Sequence, residues 1–352
     1  VSDPEAGVEI YLPAAEVSFT GYDAPFARYQ GDEAQVLLIS QSGDAATLQG
    51  LFDVMQTLEI VPLQGARDIE RTSFVLTGRD DSIESYTYAT LADGAVKGFT
   101  LVWPAGDDKR RTLVLRQMRS SFRPVPGVVL PDTAGNGAVQ RPDLLAGLEI
   151  RKPEFSASGF YIDRQGQVLT AAEAVATCAR VTLGGETDAD VTATDTALGL
   201  ALLTPRTSLA PLGIGRLSAG QPRLQSDIAV AGFSYGGLLG APTISFGTFE
   251  DVRGLEGEET LARLAMRVEP GDAGGPVLDA AGGVLGMLLP ASRDDGRALP
   301  ENVHFAADAG ALAAFLAANG IDPASLDEPR DLTPEDLALI GADMTVLVEC
   351  WN

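Results

Sequence analysis

The chain has 352 residues, too many for one ordinary domain of roughly 100–200, so two or three units are expected, each with its own core. Hydrophobic residues make up 45%, and the 39 glycines and 21 prolines are spread along the chain, which is the usage of a folded protein rich in turns. With 49 acidic against 25 basic residues the formal net charge is -24, which repels phosphate backbones and anionic lipid, so neither nucleic acid nor direct membrane insertion is expected.

Residues 8–124 alternate helix and strand signals and are expected to form an α+β domain. Residues 35–40 read as a buried strand, and residues 44–58 space Leu48, Leu51, Phe52, Met55 and Leu58 at helical intervals. Three runs rich in aromatic and β-branched residues, 72–77, 82–91 and 95–103, read as strands, with turns at Gly78-Arg79-Asp80 and Ala92-Asp93-Gly94. Gly106-Asp107-Asp108 opens a helix through Leu113, Leu115, Met118 and Phe122, so helices are expected on one face of antiparallel strands. This order, ending in Ser121-Phe122, resembles PsbP-like lipoprotein domains. The region has no cluster of His, Cys or paired carboxylates, and it reads as a recognition or packing module.

Residues 125–145 concentrate Pro, Gly and Asp with little periodicity and read as a linker. From 146 to 321 come many short apolar runs between Gly-rich turns, the pattern of an all-β barrel or sandwich. The tail, 322–352, holds a helix start in which Thr333 caps, Pro334 takes the first position and Glu335 with Asp336 face the positive end of the dipole. After Gly341, residues 344–351 read as a terminal strand, and the tail is expected to dock near Cys178.

The most informative string is Gly271-Asp272-Ala273-Gly274-Gly275-Pro276. It resembles the nucleophile segment Gly-Asp-Ser-Gly-Gly-Pro of trypsin-like, HtrA-type serine proteases, with Ala273 in the place of the serine. Glycines let such a loop turn tightly, so the amides of Gly271, Asp272 and Ala273 are expected to converge as an oxyanion-type site. Residues 159–181 are similar to the family's catalytic-histidine segment, with Glu173 in that place. Residues 195–203 are similar to its triad-aspartate segment, with Gly199 in that place. Residues 227–247 and 300–321 resemble the strand, loop and strand before the nucleophile and the closing strand and helix of the bacterial branch. The resemblance covers about 147–321 and implies an all-β trypsin-like double barrel with a C-terminal helix. The barrels would span 147–205 and 211–306, the first short for its family. It also implies a groove near Gly236, Gly237, Gly274, Gly275 and Leu288.

Catalysis in this family needs a hydroxyl nucleophile, an imidazole to take its proton and a carboxylate to orient the imidazole. Glu173, Gly199 and Ala273 supply none of these, so peptide cleavage is not expected. Three altered positions rather than one indicate a natural loss. His304, on the strand after the nucleophile segment, reads as structural rather than as a rescued base. Asp107-Asp108 and Asp294-Asp295 sit in no Asp-x-Asp-x-Asp-Gly loop, and Gly236-Gly237 and Gly282-Gly283 precede no Lys-Ser/Thr pair, so neither metal nor cofactor is expected.

Cys178 and Cys350 read either as a long-range disulfide or as two buried thiols. With the family resemblance, the disulfide implies a periplasmic or secreted protein whose signal was removed ahead of Val1. Three functions follow from these residues: a pseudoprotease that binds a protein or peptide partner or acts as a scaffold in the bacterial cell envelope; an enzyme, either a serine-type or unconventional peptidase or hydrolase using residues such as Glu173 or an activity in the N-terminal domain; or a purely structural assembly subunit. Open amides at 271–275 would favour binding, and a collapsed loop would favour structure.

Overall fold

The computed structural model describes residues 1–131, 144–145, 148–220, 222–291, 299–326 and 330–352; Asp294-Asp295 and much of 125–145 lie outside them. The chain forms two compact units, Val1–Arg151 and Lys152–Asn352.

The first unit is built on a seven-stranded antiparallel sheet. Its strands run in the order Ser18–Asp23, Phe26–Gln30, Gln35–Ser42, Ala95–Pro104, Ile83–Ala92, Ser73–Arg79 and Arg67–Ile69. Successive side chains of a strand point to opposite faces. Leu37 and Ile39 therefore pack with Leu48, Leu51, Phe52 and Met55 of helix α1 (Ala45–Met55). Val36 and Leu38 pack with Val114 and Met118 of helix α2 (Asp108–Ser121) and with Phe122. The helices thus cover both faces, not one as the sequence suggested, and the unbroken apolar run at 36–39 is the mark of a strand buried on both sides.

The stretch read as a linker is packed at its start. Leu130 is buried, its amide donates to Ser40 Oγ (3.1 Å), and the Val128 carbonyl accepts from the ammonium of buried Lys97. Lys97 also donates to the Ala6 carbonyl and to Ser40 Oγ (2.7 Å), and burial lowers its pKa to about 8 against the opposing charge of Asp3. Residues 148–151, expected to open the second domain, belong to the first unit: Leu148–Glu149 pairs with Leu144–Leu145, and Ile150 bridges to Leu58. Proline and glycine mark where regular structure stops, not where packing stops.

The second unit holds two six-stranded antiparallel barrels. The first runs Phe155–Tyr161, Val168–Ala171, Leu200–Pro205, Thr187–Asp195, Arg180–Leu183 and Thr345–Trp351, then closes on itself. Residues 147–205 supply five of these strands and the C terminus supplies the sixth. Its ladders run from Phe155↔Cys350 to Phe160↔Thr345 on one side and from Arg180↔Trp351 to Leu183↔Val348 on the other. Cys178 and Cys350 form a disulfide across 172 residues of sequence, with Cα atoms 5.2 Å apart.

The second barrel runs Pro276–Leu278, Asp227–Gly232, Thr243–Asp251, Leu261–Met266, Val303–Asp308 and Val284–Leu288, which pairs back to Pro276–Leu278. Helix α3 (Ala309–Ala318) follows it. Helix α4 (Pro334–Met344) is capped by Thr333, whose Oγ1 accepts from the Asp336 amide, and it runs straight into the strand Thr345–Trp351. It lies close enough to the second barrel that a Cβ on Gly341 would stand 2.8 Å from Ile244 Cδ1 and 3.1 Å from Ala231 Cβ.

Candidate binding cleft

Glu173 sits on a short 3-10 helix, Ala172–Val175, where the strand Val168–Ala171 ends. That helix is tied to the next loop by the Ala172 amide, which donates to the Gly199 carbonyl at 2.9 Å. Gly199 has φ +73°, a conformation that suits glycine, and it ends a turn in which Asp195 Oδ1 accepts from the amides of Ala197 and Leu198, each at 3.0 Å. Glu173 and Gly199 line one cavity of about 320 Å³ with Ala172, Ala176, Leu198 and, from the second barrel's side, Leu261 and Leu289.

The loop around Ala273 abuts the same segment, since a Cβ on Gly274 would lie 2.9 Å from the Ala171 amide nitrogen. Ala273 is buried and is not among the residues lining the cavity. The expected convergence of three amides is not what the loop adopts. Residues 270–272 form a 3-10 turn in which Asp272 N donates to the Glu269 carbonyl (3.0 Å) and Ala273 N to the Pro270 carbonyl (3.3 Å). Two of the three amides are therefore engaged within the loop, a peptide orientation that residue types alone do not specify.

Asp272 is buried beneath this turn. Its carboxylate accepts from Ser234 Oγ (2.7 Å) and from the Glu269 amide (2.9 Å). Burial raises its pKa above the ordinary carboxylate value, against the pull of those two hydrogen bonds. Sequence reasoning missed Ser158, which pins the loop to the first barrel. Its Oγ donates to the Gly271 carbonyl and accepts from the Phe233 amide, both at 2.7 Å, and its amide donates to the Ala273 carbonyl at 2.9 Å. The available signal was weak: Ser158 shares its strand with Ser156, and the residue types do not show that Ser158 is the buried one of the two.

Of the groove residues named from the sequence, Gly274, Gly275 and Leu288 are brought together, the Gly274 amide donating to the Leu288 carbonyl (2.8 Å) and the Leu288 amide to the Gly275 carbonyl (2.9 Å), but they line no groove. Gly274, Gly275 and Leu288 are buried, and a Cβ on Gly274 or Gly275 would fall 2.1 Å from Ser158 O or 2.2 Å from Ala231 O. They allow close backbone packing rather than lining a surface. Gly236 and Gly237 belong to a loop over Ser156 and Leu347, and they do not line the cavity beside Glu173. His304 is buried on the second barrel, with Nε2 donating to the Glu301 carbonyl (3.0 Å), and it lines a separate cavity of about 580 Å³ with Arg267 and Glu269. Asp107 accepts from Trp103 Nε1 (3.3 Å) and Asp108 faces Arg111 (3.8 Å), so both have structural partners.

Residues 157–287 match the family model of the trypsin-like peptidase domain. The double barrel of the second unit is the trypsin-like fold. Among curated proteins, the uncharacterized protein y4bJ of Sinorhizobium fredii is 27% identical over 207 residues, which cover 55% of this chain and 32% of that protein, so the chain spans about a third of its relative's length. Among solved structures, the inactive form of the Rv3671c protease is 26% identical, covering 47% of this chain and 87% of that one with a TM-score of 0.38. The MamO protease domain of Magnetospirillum magneticum is 20% identical, covering 46% and 87% with a TM-score of 0.36.

Proposed function

We propose that this chain is a non-catalytic protein of the trypsin-like fold that holds a peptide or protein segment in the cleft between its barrels without cutting it. The observation that carries this reading is the cavity itself: Glu173 and Gly199 meet on its wall where an imidazole and its orienting carboxylate would stand, and Ala273 is buried behind an inward-turned loop. Hydrolysis by this fold's route needs a hydroxyl, an imidazole and amides facing the substrate. An extended peptide instead needs only walls on which its side chains can pack, which the cavity offers at Ala172, Ala176, Leu198, Leu261 and Leu289. The Cys178–Cys350 disulfide supports an oxidising compartment, so we place the protein in the bacterial cell envelope, periplasmic or secreted.

The test is retention of randomised peptide pools by the immobilised whole chain, compared with Ala197→Trp, which puts a large ring on the exposed turn that lines the cavity. Saturable retention that the tryptophan abolishes supports the proposal. The engaged amides of Asp272 and Ala273 favour a second reading, a scaffold whose groove has no occupant. That reading is the outcome if no pool is retained.

A further inference from the structure

We infer that the cavity beside Glu173 receives a basic side chain, lysine or arginine, from the bound segment; this rests on the peptide-binding reading above. The walls are aliphatic at Ala172, Ala176, Leu198, Leu261 and Leu289, while Glu173 places a carboxylate on the lining. Lys and Arg present that same division, an apolar stem that packs and a charged head that seeks a partner. Among the described residues the Glu173 carboxylate has no hydrogen-bond or ion-pair partner, and none of the lining residues is basic.

Four further features point the same way. Asp195, next to the lining residue Thr196, adds a second carboxylate to the local field. Gly199 leaves the wall open, since a Cβ there would point at Leu289 Cδ2, 3.1 Å away. The volume of about 320 Å³ stands at the lower end of ligand pockets, so it suits one side chain rather than a larger organic molecule. The net charge of -24 steers a basic segment toward the protein from a distance.

The experiment uses fluorescein-labelled pools of randomised nonapeptides with the central residue fixed as Lys, Arg, norleucine or Glu, titrated with the whole chain by anisotropy at low salt. The Lys and Arg pools are expected to bind about fivefold more tightly than the norleucine pool, the scale of a partly exposed ion pair, with the margin shrinking as salt rises. Glu173→Gln is expected to remove that margin, so that the Lys, Arg and norleucine pools bind the variant equally. Glu186→Gln, an equal loss of charge on an exposed turn, is expected to preserve it. Equal binding of the Lys and norleucine pools, or a margin untouched by Glu173→Gln, overturns the inference while the peptide-binding reading stands. Failure of every pool to bind overturns both.

Discussion

The two barrels of the second unit solve the same closure problem differently. All six strands of the second barrel lie between residues 227 and 308, whereas the first barrel takes five strands from 155–205 and its sixth from 345–351. The second has a compact interior of its own around Phe249, Leu264 and Val277. The first shares one continuous core with α3, α4 and the terminal strand through Leu312, Phe315, Met344, Val346 and Val348. Glu173 and Gly199 sit on the barrel that cannot close until the end of the chain arrives. The candidate cleft is therefore coupled to the C terminus, and long-range closure carries an entropic cost that the terminal strand must offset.

Deleting residues 345–352 breaks this comparison most strongly. It removes both ladders of the sixth strand, so residues 155–205 are expected to lose hydrogen-exchange protection while residues 1–124 keep theirs. Next in size is the disulfide. Replacing both cysteines with alanine is expected to cost about 5 kcal/mol for a loop of this length, read by chemical denaturation, with the loss of protection concentrated in the first barrel.

Gly274→Ala places a methyl 2.1 Å from Ser158 O at φ +87°, and about 3 kcal/mol of destabilisation is expected; Gly240→Ala, at φ +68° in open space, should cost about 1 kcal/mol. Ser158→Ala leaves the Phe233 amide without its acceptor and is expected to cost about 2 kcal/mol and to loosen the loop at 270–273.

The smallest effect is one of pH. The folded pKa of Asp272 is raised, so the native state holds this proton after the unfolded chain has released it. Stability contributed at this site falls as pH rises from the ordinary aspartate value toward the raised one. Relative to Asp272→Asn, the wild type is expected to lose stability across that window in equilibrium unfolding.

What the sequence disclosed was what is local. The Gly-Asp-Ala-Gly-Gly-Pro string, the Thr333–Pro334 helix start and the strand runs at 72–103 depend on neighbours a few residues away, and each is found in the structure. The pairing of residues 345–351 was not legible, because an apolar run encodes a strand but not its partners 150 or more residues distant. The cleft was half legible. Glu173, Gly199 and Ala273 were named from their neighbours, but the inward turn of the Asp272 and Ala273 amides depends on backbone geometry at Pro270. Ser158 acts through contacts more than 70 residues away.

The central claim is that the protein binds without cutting, and the most direct test is to recover peptides retained by the whole chain after prolonged incubation and read their termini by mass spectrometry. The account predicts intact peptides, with no new termini beyond those in a protein-free control. New termini that appear with the wild type and vanish with Glu173→Gln would contradict it and make Glu173 the base of a hydrolase.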